Sequence, residues 1–173
     1  PTSTPNESSA ASDVYKRQGQ GIYMRLVTKA MVELGHTVEV VSGQPYPILD
    51  KGVKLTKLPS LDLYSFNNPL KAFRFDLLKE PINLYEWLSH LSGGFSEPYT
   101  FGERMAIWGK ENYKRFDVVH DNQTLAYGLI KLRDMGIPVV GTIHHPITMD
   151  KRIDIKHAET LSLKLLKWRW YSL

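Results

Sequence analysis

The sequence predicts an α/β fold of the Rossmann type, a doubly wound and mainly parallel sheet with helices on both faces. Three observations predict it. Two β-branched runs, Val118-Val119 and Val139-Val140, are each flanked by turn signals, as buried strands are. Between them, Thr124 to Met135 carries Leu125, Leu129 and Leu132 at helical spacing, and Gly136 and Pro138 close that helix. A strand–helix–strand unit of this length implies parallel strands joined by a right-handed crossover. Both runs end in polar residues: His120, Asp121, Asn122 and Gln123 after the first, His144 and His145 after the second. Open parallel sheets bind ligands beyond the carboxyl ends of their strands, so the chemistry is expected there.

The other elements follow in order. Ile22, Tyr23, Leu26, Val27, Ala30, Met31 and Leu34 recur at three- and four-residue steps, which predicts an amphipathic helix closed by Gly35. Thr37 to Ser42 is expected as a strand, and Gly43 to Pro47 as its turn-forming exit. Val53 to Leu58 alternates apolar and polar residues, as a half-exposed strand does. Short helices are expected near 69–79 and 81–91, and a longer one over Glu97 to Phe116. After His145 a loop is expected to about residue 154, then a helix over 155–170 with Ala158, Leu161, Leu165 and Trp168 on one face. No internal repeat is apparent.

The chain has 173 residues, 42% of them hydrophobic and 23% charged, which fits one ordinary globular domain. It has no cysteine, so disulfides, thiolate zinc sites and a cysteine nucleophile are excluded. That composition fits a cytoplasmic enzyme. No apolar run approaches the roughly 20 residues that span a bilayer. The net charge of +4 is local: residues 151–173 hold six Lys/Arg against Asp154 and Glu159, while the rest of the chain is neutral. Such a small, local excess argues against a nucleic-acid partner.

The first eighteen residues stand apart. Pro1 to Ser12 is rich in Ser, Thr, Pro and Ala, with no aromatic residue and no periodicity, so it cannot bury a core. It has no apolar central region and is not a signal peptide. The stretch from Ser8 to Gln18 resembles translated library adapter. Residues 1–18 are therefore expected to be a non-native or disordered tail. A helix opening at Gly19 in a doubly wound sheet calls for a strand before it. The chain is accordingly expected to lack its first strand and to stop within or just after a helix.

The run from Gly19 to Leu26, then Glu33 to Ser42, resembles the N-terminal domain of family 4 glycosyltransferases with the GT-B fold. So do Asp117 to Gln123, Tyr127 to Leu129, and Pro138 to Thr148. The resemblance covers residues 19–173 in the family's order. It implies an incomplete acceptor-side domain, without the C-terminal domain that holds most of the donor and without that domain's paired glutamates. It also implies transfer of a sugar from a nucleotide-diphosphate donor, a co-substrate rather than a cofactor, to an acceptor hydroxyl on a lipid, glycan or small molecule, with retention. The fragment alone is expected to be inactive.

Candidate residues follow from both lines. Gly19 and Gly21 let the backbone approach a ligand, and the helix start at Gln20 presents free amides to an anion. The resemblance places Gly19, Gln20 and Gly21 against the donor diphosphate, although Gln18 stands where the family has another glycine. His144 can both donate and accept a hydrogen bond at the crevice. By resemblance it is the active-site histidine, which positions the donor sugar and stabilises developing charge; otherwise it is a structural histidine bonded to a carbonyl. His120, Asp121, Asn122, Gln123 and His145 suit a hydroxyl-rich acceptor or sugar, with helix capping an equal reading for Asn122 and Thr124. A metal site at these histidines lacks helical spacing and is not expected. His36, His90 and His157 need only surface or packing roles.

The basic end has two readings. Lys156, Lys164, Lys167 and Tyr171 share a helical face opposite Leu161, Leu165 and Trp168, as in an interfacial helix drawn to anionic lipid. An ordinary surface helix is the favoured reading. Beside the transferase stand two alternatives for the whole chain: a non-catalytic nucleotide- or sugar-binding module, and a metal-dependent α/β hydrolase.

Overall fold

The computed structural model describes residues 19–65, 70 and 73–172. The expectation for residues 1–18 lies outside them. The chain divides into two compact units, residues 1–59 and 60–173.

In the first unit, α1 (Gln20–Glu33) is followed by β1 (Glu39–Ser42) and β2 (Lys54–Lys57). Gly35, at φ 90°, ends the helix as expected: its N–H donates to Val32 O, and the next N–H, of His36, reaches back to Met31 O. This pairing satisfies carbonyls that the last turn leaves open. The strands run parallel, with Val40 opposite Leu55 and Glu39 opposite Lys54. Glu39 anchors that register, accepting from Thr56 Oγ1 and pairing with Lys54 Nζ at 3.1 Å. Both strands are shorter than the periodicity predicts, by one or two residues at an end.

The second unit holds α2 (Pro81–Leu91), α3 (Glu97–Asn112), β3 (Val119–Asn122), α4 (Gly128–Asp134), β4 (Val139–Thr142), α5 (Ile147–Lys156) and α6 (Leu161–Trp170). β3 and β4 are parallel, with His120 opposite Val140 and Asn122 opposite Thr142. Leu63, Leu77, Met105, Leu129, Leu132 and Ile137 are buried at its core. The fold is thus mixed α/β with short parallel strands. The described strands form two parallel pairs, one in each unit.

Helix α4 lies against α3 at a glycine contact. A Cβ on Gly128 would fall 1.9 Å from Gly102 O, so only glycine permits this approach. At the far end α6 is tied to the α2–α3 turn. Phe95 stacks on Trp170 at 5.0 Å, and Arg169 Nη2 donates to Ser89 Oγ at 2.8 Å.

Three expectations are corrected. The helix over Thr124 to Met135 begins only at Gly128, because Gln123 (φ 49°) and Leu125 (φ 58°) adopt left-handed backbone. Asp121 Oδ1 accepts from Thr124 N at 3.0 Å and holds that turn, so side-chain turn chemistry outweighs helical periodicity. The loop to residue 154 is largely helix α5, opened by Pro146. The single helix over 155–170 is accordingly two helices. Ala158 is buried in the turn between them, and Thr160 caps α6 by accepting from Leu163 N. Lys156 therefore does not share a helix with Lys164 and Lys167.

The helix near 69–79 falls partly outside the described residues, and Phe75–Lys79 is a single 3-10 segment. Pro81 explains its stop: the residue before a proline is driven extended, and Glu80 has φ −119° and ψ 95°. Among the described residues no helix is long and apolar enough to cross a membrane.

Candidate active site

The two runs that end in polar residues do meet. β3 and β4 lie side by side, so the segments following their last paired residues, Asn122 and Thr142, emerge together. Side chains alternate along a strand, which divides the predicted cluster. His120 and Asn122 fall on one face: His120 Nε2 lies 2.7 Å from Thr142 Oγ1, and Asn122 Oδ1 lies 2.6 Å from His144 Nε2. With the Asn122 oxygen as acceptor, Nε2 of His144 carries the proton.

Asp121 lies on the opposite face with Gly141. It lines a separate groove of about 830 Å³ together with Leu125, Tyr127, Arg133 and Lys151. Its carboxylate also holds the Thr124 turn. His120, Asn122 and His144 thus form one group, and Asp121 belongs elsewhere.

Gln123 is buried, and its amide is engaged with the following loop. Oε1 accepts from His144 N at 2.6 Å and His145 N at 3.2 Å, while Nε2 donates to His145 O at 2.6 Å. His145 is exposed, and its Nδ1 lies 2.6 Å from Asp150 Oδ2 on α5. Among the described residues no group of three His, Asp or Glu side chains has metal-binding geometry. His36 and His157 are exposed, whereas burial lowers the pKa of His90.

The glycine loop lies in the first unit. Gly19, at φ 56°, caps α1, and its carbonyl accepts from Tyr23 N at 3.1 Å. Gly19 and Gln20 are exposed, α1 has no acidic residue in its first turn, and no side chain caps it. Its first amides carry the partial positive charge of a helix start.

A second polar cluster escaped the sequence reading. Glu86 on α2 is fully buried; it pairs with Arg104 of α3 and accepts from Leu61 N at 3.0 Å. Beside it, burial raises the Glu97 pKa to about 7, with the negative charges of Glu86 and Asp62 adding and Arg104 opposing. Glu97 Oε2 is buried without a hydrogen-bond partner. Burial also raises the Asp62 pKa. The only sequence signal was a charged residue three positions from Ser89 on the inward face of α2, which spacing alone does not distinguish from a surface pair.

A model of glycosyltransferase family 4 matches residues 17–173. The MMP alpha-(1->4)-mannosyltransferase of Mycolicibacterium hassiacum (strain DSM 44199 / CIP 105218 / JCM 12690 / 3849) is 47% identical over 154 residues, 88% of this chain and 37% of that protein. The chain thus spans just over a third of that relative's length. Family match, order of elements and the polar ends of β3 and β4 agree: the chain belongs to glycosyltransferase family 4.

Proposed function

We propose that this chain is the acceptor-side domain of a GT-B enzyme that transfers a hexose from a nucleotide-diphosphate sugar to an acceptor hydroxyl, with retention at the anomeric carbon. The observation that carries this reading is His144 at the carboxyl end of β4, its ring held by Asn122, inside a segment matched by the family. In this reading His144 positions the donor sugar and stabilises charge developing near the reacting carbon. A ring fixed in place by Asn122 suits that positioning role. His120 and Asn122, on the same face, offer contacts to sugar hydroxyls. Gly19, Gln20 and Gly21 would meet the donor diphosphate at the start of α1, where free amides favour an anion.

The 47% identity to a mannosyltransferase supports mannose as the sugar and a glycan hydroxyl as the acceptor. The nucleotide-sugar is a co-substrate, and no further cofactor is invoked. A cytoplasmic enzyme touching the anionic inner face of a membrane belongs to the same reading. Its support is α6, which exposes Leu161, Leu165 and Trp168 and carries Lys164 and Lys167.

The test is a panel of nucleoside-diphosphate hexoses offered to the full-length protein with glycan, lipid and small-molecule acceptors. A mannosyl donor consumed with a new glycosidic product is the expected result. Nucleotide-sugar binding without transfer to any acceptor would leave a binding module instead.

A further inference from the structure

Gln123 combines features that a simple hydroxyl ligand does not need. The residue is only 8% exposed, although it sits at the rim where β3 ends. Its backbone is left-handed, at φ 49°, a conformation in which side chains other than glycine are strained. Both ends of its amide bond to the chain leaving the neighbouring strand: the N–H groups of His144 and His145 donate to Oε1, and Nε2 donates to His145 O.

These three bonds begin where the strand ladder stops, one residue past the Asn122–Thr142 pair. They extend the connection between β3 and β4 by a side chain instead of by backbone. Burial does little to hold this stretch, since Ile143 is 78% exposed and His144 and His145 are exposed as well. The neighbouring residue completes the grip, because Asn122 Oδ1 holds the His144 ring at 2.6 Å. Two consecutive residues thus fix one histidine, Gln123 by its main chain and Asn122 by its imidazole.

We infer that Gln123 is a positioning residue for His144: it sets the place of the imidazole by clamping the backbone of residues 144–145 and does not itself bind sugar. The inference rests on the glycosyltransferase reading, in which His144 faces the reacting sugar. Its physical basis is geometric, since misplacing a catalytic group by about 1 Å costs on the order of a hundredfold in rate.

The test is a double-mutant cycle in the full-length enzyme with Gln123→Met, His144→Ala and the pair. Methionine keeps much of the volume and removes every hydrogen bond. Gln123→Met should lower kcat about ten- to a hundredfold, with the donor KM changed less than about threefold. In the His144→Ala background the same change should cost less than about twofold, because the group it positions is gone. Equal losses in both backgrounds, or a rise in acceptor KM alone, would overturn the inference. A His144→Ala enzyme with wild-type turnover would sink the parent reading. A crippled His144→Ala enzyme beside an undiminished Gln123→Met enzyme would sink this inference only. Should Gln123→Met fail to fold, amide hydrogen exchange in the wild-type enzyme decides. Protected His144 and His145 amides support the clamp, and exchange at free-chain rates rejects it.

Discussion

Asn122 Oδ1 and His144 Nε2 lie 2.6 Å apart across the carboxyl ends of two adjacent parallel strands. The pair is 22 residues apart in sequence and is made only when β3 and β4 align in register. It joins the two polar clusters side chain to side chain, beside the bonds of Gln123 to the His144–His145 backbone, and leaves the ring donating toward an amide oxygen.

The first prediction concerns this pair. Asn122→Ala removes the oxygen that the Nε2–H of His144 meets. The NMR signal of that ring proton, visible in the wild type because the bond slows its exchange with water, should disappear in the variant. A ring proton equally visible in both proteins, or in neither, would mean that the two side chains do not meet in solution.

A second prediction follows from Glu97, whose pKa of about 7 stands above the ordinary 4.5 because burial disfavours its charge. Below about pH 4.5 the folded and unfolded chains are both protonated there, and Glu97 contributes no pH dependence. Between about 4.5 and 7 the folded chain holds a proton that the unfolded chain releases, so stability falls as pH rises and levels off above 7. Asp62, also raised by burial, acts with the same sign. Glu97→Gln should therefore raise the Tm at pH 8 relative to wild type and bring little gain at pH 4. Parallel Tm profiles for the two proteins would contradict it.

The third prediction tests the α3–α4 contact. Gly128→Ala drives a methyl group into Gly102 O and should destabilise the protein by about 2–3 kcal/mol. Gly141→Ala meets nothing within 4 Å and should stay within about 0.5 kcal/mol of wild type. Urea unfolding of both variants gives the comparison. Equal losses would place α3 and α4 farther apart than described.

Much of the local structure was legible in the sequence because single signals dominated. Gly35 and Gly136 end their helices at positive φ as expected, and Pro81 opens α2 where the helix was expected to begin. The errors fell where short-range polar chemistry competes with periodicity. Leu125, Leu129 and Leu132 have helical spacing, yet the Asp121–Thr124 bond and two left-handed residues consume the first turn. Thr160 capped a helix that the Leu and Trp spacing had extended backward through residue 155.

The candidate site was legible in outline. His120, Asn122 and His144 meet on one face, but strand alternation carries Asp121 to the other. Gln123 was chosen for its amide, whose partners are backbone groups 21 and 22 residues away that no local pattern reveals. The Glu86–Arg104 pair and buried Glu97 likewise depend on how α2 meets α3.

The most direct test of the central claim is the rate of sugar transfer by the full-length enzyme and its His144→Ala variant at saturating donor and acceptor, with the anomeric configuration of the product read by NMR. A product of the same configuration as the donor and a loss of about a hundredfold or more in the variant are expected. An inverted product, or a variant as fast as wild type, would contradict the claim.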